Sequence, residues 1–338
     1  MAITGPVLNA LAQIDPSLRL TIRTRLPASK LHQRIKAPFN LIEGSSDFGF
    51  QMIDAANIDH QASATAYREA HANWPARVAS EADFLSQLKP DLVLTNVSYL
   101  PLAGAKKAGI PAISICSLNW ADLFIHFFGN ESWAAEIHQQ ILDAYRCAQT
   151  FLRITPGMPM PLLNQTQQVG PIAALGKKHD LGLGSDKAIL VAMGGISHHL
   201  PVDNWPRLPG IRWLVAHDWK ITHPAAISFE SFGLSFTDLL CSVDAIITKP
   251  GYGTFTEAAC NGTPVIYQRR SDWPEQECLI AWLHQHVPAL EVPEKTLISG
   301  SFDDALSSLW QQAKPLTAVP HGAQHAAQLI HQAASLHS

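Results

Sequence analysis

Short apolar runs alternate with helix-like segments along the whole sequence, and this alternation constrains the fold more than any other feature. In the first half, residues 62–88 and 101–108 have helical periodicity, the former with an interruption near Pro75. Extended apolar runs lie around them at 18–24, 39–43, 91–98 and 111–117. Strands and helices that alternate with short connections predict an α/β fold, with a parallel sheet covered by helices.

The second half repeats this plan after the Pro- and Gly-containing segment 155–176, which we interpret as a linker. Its strand-like runs are 188–193, 211–216, 243–248 and 264–268. A chain of 338 residues is long enough for two domains. We predict two Rossmann-like doubly wound domains, 1–160 and 161–338, with a ligand-binding cleft between the carboxyl ends of their strands.

The beginning of the sequence departs from this plan. Residues 1–11 have the pattern of a helix, and the first clear strand begins at 18. A domain of this class normally opens with a buried strand and a Gly-rich turn. We expect the coding sequence to begin one strand further upstream, because a sheet without its central strand would expose two apolar edges. The alternative is that another element fills that position.

Composition and charge argue against several classes of protein. The formal net charge is −4 and no run of Lys or Arg forms a basic stripe, so nucleic acid is not an expected partner. The five cysteines lack metal-ligand spacing and indicate buried thiols in a reducing compartment. No apolar run is long enough to span a bilayer and no secretory signal opens the sequence. We therefore expect a cytoplasmic protein without a transmembrane segment.

The strongest candidate site lies in ITKPGYGTFTEAACNGTPVIY, residues 247–267. Gly251 and Gly253 would permit a positive φ and a close approach of a ligand to the backbone. Thr254 and Glu257 have the spacing of a capping box at a helix N-terminus. With Lys249 beside it, this helix end could bind a diphosphate without a metal ion. The alternative is a tight, well-capped turn that binds nothing.

A second candidate is Gly194-Gly195-Ile196-Ser197, directly after a strand in the same half of the chain. Gly194 and Gly195 could form a backbone cradle for phosphate, with the hydroxyl of Ser197 as a donor. The motif is common in ordinary turns. We rank a metal site at the adjacent His198 and His199 much lower, because neighbouring side chains usually point in different directions.

A third candidate follows the last of the predicted strands. Asp272, Glu275 and Gln276 lie at the start of a predicted helix, where carboxylate and amide groups could hydrogen-bond the hydroxyls of a sugar. Alternatively, Asp272 caps that helix and Glu275 complements its dipole.

Several familiar catalytic signatures are missing from the sequence, namely GxSxG, the Walker loop, HExxH and Asp-x-Asp. If the activity is sugar transfer, we expect a metal-independent mechanism that needs no cofactor beyond a nucleotide sugar. The aromatic segment 122–128 (DLFIHFF) could form a patch for a lipid or an apolar acceptor, although burial in the core is the more common role of such a run.

Taken together and in this order, these motifs resemble those of the GT-B glycosyltransferases. The second half is similar to the C-terminal domain of the family 28 enzymes, the lipid-linked N-acetylglucosaminyltransferases of peptidoglycan synthesis. A closer similarity is to the glycosyltransferase-like N-terminal half of plant L-arabinokinases, and it covers nearly the whole chain. The similar segments are 117–122, 154–161, 251–254 and 269–272, together with Glu275.

The resemblance implies roles for the donor-side residues. Glu257 would hold the ribose of a nucleotide sugar, with a UDP-sugar favoured. Gly194, Gly195 and Ser197 would face the diphosphate, and Glu275 and Gln276 would hold the donor sugar. The reaction would be transfer with inversion at the anomeric carbon.

On the acceptor side, the family carries a His in a Gly-rich turn that this sequence lacks, so the catalytic base is not identified. Asp122 and His126 are weak substitutes. The N-terminal domain would bind an acceptor that the sequence does not specify, with a lipid-linked one among the options. Two alternatives on the same fold are a nucleotide-sugar hydrolase or epimerase, and a non-catalytic sugar-nucleotide-binding protein.

Overall fold

The structure is a computed structural model that describes residues 1–54, 57–194 and 199–335. The chain divides into two compact units. Unit 1 comprises Met1–Met52, Ile58–Ile172 and His321–Ser338, and unit 2 comprises Ile53–Asn57 and Ala173–Pro320. The last segment of the chain thus returns to the first unit. In the described ranges, no helix is both long and apolar enough to cross a membrane.

Unit 1 is built from strands and helices in alternation. Its strands are β1 (Leu20–Thr24), β2 (Phe39–Glu43), β3 (Val93–Thr95), β4 (Ala112–Cys116), β5 (Thr150–Ile154) and β6 (Thr166–Val169). Its helices are α1 (Thr4–Ile14), α2 (Ala28–Arg34), α3 (His60–His71), α4 (Trp74–Leu88), α5 (Leu100–Ala108), α6 (Trp120–Phe128), α7 (Ala134–Tyr145) and α13 (Gly322–Ser335). The interruption predicted near Pro75 is confirmed, because this proline lies in the first turn of α4.

The strands of unit 1 form two separate parallel sheets, β1–β2 and β3–β4–β5–β6. Among the described residues, no ladder joins one sheet to the other. Every residue of β4 is buried, as expected for the interior strand of a covered parallel sheet. The strand predicted at 91–98 is shorter than expected, since only Val93–Thr95 pair with β4.

The interpretation of 155–176 as a linker was wrong in part. This segment contains β6, which pairs in parallel with β5 at the edge of the sheet, and unit 1 continues to Ile172. Strand β6 reads TQQV, and its two glutamines are exposed. An edge strand with one open side tolerates polar residues, so it lacks the apolar signal on which the prediction depended.

Unit 2 contains one six-stranded parallel sheet in its described part. Its strands are β7 (Lys187–Val191), β8 (Ile211–Val215), β9 (Ala226–Ser228), β10 (Ala245–Thr248), β11 (Val265–Tyr267) and β12 (Ala289–Glu291). Its α-helices are α8 (Phe236–Ser242), α9 (Tyr252–Asn261), α10 (Glu275–Leu283), α11 (Glu294–Ser299) and α12 (Asp303–Gln311). The strands β9 (AIS) and β12 (ALE) were not predicted, because each ends in a polar residue and lacks the continuous apolar run of a covered strand.

The order of strands in unit 2 is β12-β11-β10-β7-β8-β9. The chain moves outward from β7 through β8 to β9, and then crosses back to continue with β10 on the other side of β7. This is the doubly wound order, and its reversal lies between β7 and β10. A buried cluster around Trp205, Trp213 and Phe302 packs on one face of the sheet.

Candidate functional site

The point of reversal brings the ends of β7 and β10 together. Gly194 follows β7, Lys249 follows β10, and Gly251 is the N-cap of α9. A Cβ atom on Gly194 would lie 3.6 Å from the Lys249 Nζ, so the two residues are neighbours in space. Gly194 also has φ = +90°, a conformation that favours glycine. In open α/β sheets, ligands bind outside the carboxyl ends of the strands at this point.

Helix α9 begins earlier than the sequence suggested. Its first residue is Tyr252, no side chain caps it, and Thr254 lies inside the first turn. The predicted capping box of Thr254 and Glu257 was therefore wrong, as was the positive φ at Gly251, where φ is −170° and the chain is extended. Gly253 is helical. The N-cap Gly251 supplies no side chain to the first turn, and the N-terminus of a helix favours an anionic acceptor.

Lys249 lies half-buried beside this helix end. Its ammonium group forms no hydrogen bond or ion pair with any described residue. Burial and, to a smaller extent, repulsion from Arg270 lower its pKa to about 8, while Glu275 and Asp54 act in the opposite direction. A partly buried cation without a bonded partner among the described residues is suited to bind an anion.

Arg270, after β11, forms a second cationic position. The backbone N–H of Arg270 donates to Gln276 Oε1 at 2.9 Å, and Gln276 Nε2 donates to the Arg270 carbonyl at 3.2 Å. Its guanidinium lies over the ring of Trp273, with Cζ 4.0 Å from the ring centroid. The indole N–H of Trp273 donates to Glu275 Oε2 at 3.1 Å. Glu275 and Gln276, predicted to hold a sugar, thus organise the surroundings of this arginine.

The other predicted donor residues are distributed as follows. Glu257 is buried in α9, and its carbonyl accepts from Asn261 Nδ2 at 2.8 Å. Asp272 is exposed and does not cap α10, whose N-cap is Pro274. Gly195 and Ser197 lie outside the described residues, so their predicted phosphate contacts stay predictions.

Asp122 and His126, the two weak candidates for the catalytic base, lie on α6 in unit 1. Asn119 Nδ2 donates to the Asp122 carboxylate at 2.9 Å, and the Asp122 N–H donates to Asn119 Oδ1 at 2.8 Å. This reciprocal arrangement caps the helix, which is a structural use of the carboxylate. His126 is exposed. Leu123, Phe124 and Phe128 of the same segment are buried, in agreement with the core interpretation.

A carboxylate that the sequence analysis missed is Asp47, in the loop after β2. The indole N–H of Trp120 donates to Asp47 Oδ2 at 3.1 Å, and Ser98 supplies a further hydrogen bond. Burial raises the pKa of Asp47 in spite of these bonds and of nearby Arg77. Ser98 and Trp120 follow β3 and β4, so the group lies at the carboxyl ends of these strands. No sequence motif could reveal it, because Asp47 and Trp120 are far apart in the chain.

Across 1–54, 57–194 and 199–335, no three His, Cys, Asp or Glu side chains converge as a metal ion requires. No protein-family model matches the chain. One curated relative, L-arabinokinase of Arabidopsis thaliana, is 23% identical over 271 residues, which are 76% of this chain. The chain spans only 26% of the length of that relative.

Solved structures decide the fold. The glycosyltransferase of kitacinnamycin superposes with a TM-score of 0.62, at 12% identity, over 99% of this chain and 91% of its own. The fold is GT-B. The glycosyltransferase VinC in complex with dTDP also matches, with a TM-score of 0.54 and 14% identity, over 99% of this chain and 92% of its own. A UDP-N-acetylglucosamine 2-epimerase matches with a TM-score of 0.54, 12% identity and coverages of 98% and 93%.

The GT-B assignment confirms the fold class predicted from the sequence, and the resemblance to L-arabinokinase is confirmed as well. At 12–14% identity, the structural similarity establishes the fold alone. The GT-B structures include glycosyltransferases and an epimerase, so the choice of reaction has to come from the residues of this chain.

Proposed function

We propose that this protein is a nucleotide-sugar-dependent glycosyltransferase that works without a metal ion and inverts the anomeric carbon. The observation that carries the proposal is the position of Lys249, which pairs with no described residue, beside Gly194 and the N-terminus of α9 at the point of strand reversal. A diphosphate there would receive charge from the ammonium group and hydrogen bonds from the helix end.

In this reaction, an acceptor hydroxyl attacks the anomeric carbon while the bond from that carbon to the diphosphate oxygen breaks. Negative charge grows on the departing diphosphate, and Lys249 together with the first turn of α9 stabilises it more strongly than the charge of the intact donor. The acceptor proton must pass to a base. We favour UDP or dTDP as the nucleotide of the sugar donor, because the similar GT-B structures include a dTDP complex and a UDP-N-acetylglucosamine 2-epimerase.

For the base we favour Asp47 over the two candidates from the sequence. Its raised pKa makes it a stronger base than an exposed aspartate, and Trp120 and Ser98 fix its orientation. The carboxylate of Asp122 is already engaged by its helix cap. Asp47 also lies at the carboxyl ends of the unit 1 strands, the side of an α/β sheet on which ligands bind.

The test is a thermal-shift and calorimetric panel of UDP, dTDP, GDP and CMP with the wild type, Lys249→Met and Glu257→Gln. One nucleoside diphosphate should stabilise the wild type by about 2.7 kcal/mol at a hundred times its dissociation constant. Lys249→Met should lose most of this stabilisation while the unliganded protein stays folded. If no nucleotide binds to the wild type, or if both variants bind as well as the wild type, the proposal is wrong.

A second candidate function is epimerisation or hydrolysis of the nucleotide sugar, favoured by the similarity to the 2-epimerase structure. The two functions differ in what happens without an acceptor. Incubation with the bound UDP-sugar alone should leave it intact if the protein is a transferase. Rapid conversion to an epimer or to free sugar would support the second candidate instead.

A further inference from the structure

Two adjacent arginines after β11 have opposite environments. Arg269 is partly exposed and forms ion pairs with Glu277 and, at 3.3 Å, with Glu291. Arg270 is only 9% exposed, and its Nε–H has no hydrogen-bond partner among the described residues. No salt bridge in the described part of the chain includes Arg270 either. A buried guanidinium without an acceptor is costly, so its position needs a reason.

The surroundings of Arg270 fix the position of its side chain without neutralising its charge. Gln276 fixes the backbone through two hydrogen bonds, and Trp273 supports one face of the guanidinium. Burial lowers the pKa of Arg270 to about 10, although the negative charges of Glu275 and Asp54 act to raise it. It remains a cation at neutral pH, with a planar set of donors that matches a carboxylate.

The location of Arg270 separates it from the diphosphate position. Lys249 and Gly251 follow β10, whereas Arg270 follows the next strand, β11, in a register that pairs Thr248 with Tyr267. Neighbouring strands lie about 4.8 Å apart, so Arg270 is offset from the diphosphate position by roughly the width of a sugar ring. Moreover, Arg270 lies two residues beyond the position that pairs with Lys249, which places it further from the sheet.

We propose that Arg270 recognises an acid group on the donor sugar, so that the protein prefers nucleotide sugars of the uronic acid class over neutral ones. The inference rests on the proposed function, because it assumes that the diphosphate binds at Lys249 and α9. It assigns to Arg270 a role in sugar specificity, distinct from the role of Lys249 in binding the nucleotide. The carboxylate would accept from the guanidinium that now lacks an acceptor.

The experiment measures dissociation constants of UDP, UDP-glucose and UDP-glucuronic acid by calorimetry, with the dTDP series as the alternative if dTDP is the nucleotide that binds. The proteins are the wild type, Arg270→Met, Arg270→Lys and the matched control Arg269→Met. The wild type should bind UDP-glucuronic acid about ten- to hundredfold more tightly than UDP-glucose. Arg270→Met should abolish this preference and change the affinity for UDP itself by less than about threefold. Arg269→Met should retain the preference, and Arg270→Lys should keep part of it.

The outcomes separate the two proposals. Equal binding of UDP-glucose and UDP-glucuronic acid to the wild type overturns the role of Arg270 and leaves the transferase proposal intact. Loss of UDP binding in Arg270→Met also overturns it, because Arg270 would then contact the diphosphate. If neither UDP nor dTDP binds the wild type, both proposals fall. As a folding control, Arg270→Met without ligand should melt no lower than the wild type, and a marked decrease would mean that the guanidinium has a structural partner.

Discussion

Lys249 combines a cationic side chain with surroundings that weaken its hold on a proton. Burial and the charge of Arg270 lower its pKa to about 8. In the unliganded protein, the Lys249 amine is therefore mostly charged at pH 7 and mostly neutral at pH 9. A bound diphosphate favours the charged form and raises this pKa. Binding below pH 8 therefore needs no proton, whereas binding above pH 8 takes one up.

From this we predict that the affinity for UDP-glucose is constant up to about pH 8 and then falls by up to about tenfold per pH unit. Calorimetry at pH 7, 8 and 9, in buffers of different ionisation enthalpy, measures both the affinity and the proton uptake. Lys249→Arg is the matched control, because a guanidinium stays charged throughout and should remove the pH dependence. A flat wild-type profile would show that Lys249 does not touch the anion.

Asp47 and Asp122 allow a direct comparison of two half-buried carboxyl groups with raised pKa values. Replacement of Asp47 by Asn should slow sugar transfer by about a hundredfold or more and remove the acid limb of the pH–rate profile. The affinity for the nucleotide should stay unchanged. Asp122→Asn should leave that limb in place, since its carboxylate serves a helix cap. The reverse pattern would identify Asp122 as the base.

At the scale of elements, a buried polar chain joins three helices of unit 1. The ring nitrogens of His71 on α3 contact Gln140 of α7 at 2.7 Å and Tyr99, the N-cap of α5, at 2.8 Å. The ring also stacks on Trp74, with centroids 4.7 Å apart. Burial lowers the pKa of His71 to about 4, so the histidine is neutral at physiological pH.

We predict that this histidine makes unit 1 sensitive to acid. The unfolded chain protonates His71 near pH 6.5 but the folded chain only near pH 4, so stability is fully present above pH 6.5 and is lost as the pH falls towards 4. The loss across this window is about 3 kcal/mol. Urea unfolding of the wild type and His71→Gln at pH 7 and pH 4.5 measures it. The difference between the two proteins should change over this range, and parallel stability curves would contradict the prediction.

The elements also show how much of the fold could be predicted from the sequence. Strands β4, β7, β8, β10 and β11 were predictable because covered parallel strands are continuous apolar runs. The edge strands β6, β9 and β12 were not, because polar residues interrupt their apolar runs. At the site, Lys249 and Gly194 were found through local motifs. Arg270 and Asp47 owe their properties to burial and to contacts distant in sequence, which no local pattern encodes.

At the scale of the whole molecule, the first and last helices depend on each other. Helix α13 packs against α1, and Val7 and Leu8 of α1 and Ile330 of α13 are buried. We predict that truncation after Pro320 lowers the melting temperature of unit 1 by exposing this apolar surface. The nucleotide-induced stabilisation of unit 2 should persist, because none of its residues is removed. Calorimetry with and without UDP tests both points, and an unchanged melting profile would argue against the prediction.

The backbone N–H of Gly322 donates to the carbonyl of Pro171 at 2.9 Å, so the chain leaves unit 1 and re-enters it at almost the same place. A Cβ atom on Gly322 would overlap the backbone of Gly170, which leaves room only for glycine at this crossing. A ribosome that makes this chain releases the whole of unit 2 before the helix that completes unit 1. Unit 2 can therefore fold during synthesis, whereas unit 1 must wait, with α1 uncovered, until α13 has been made.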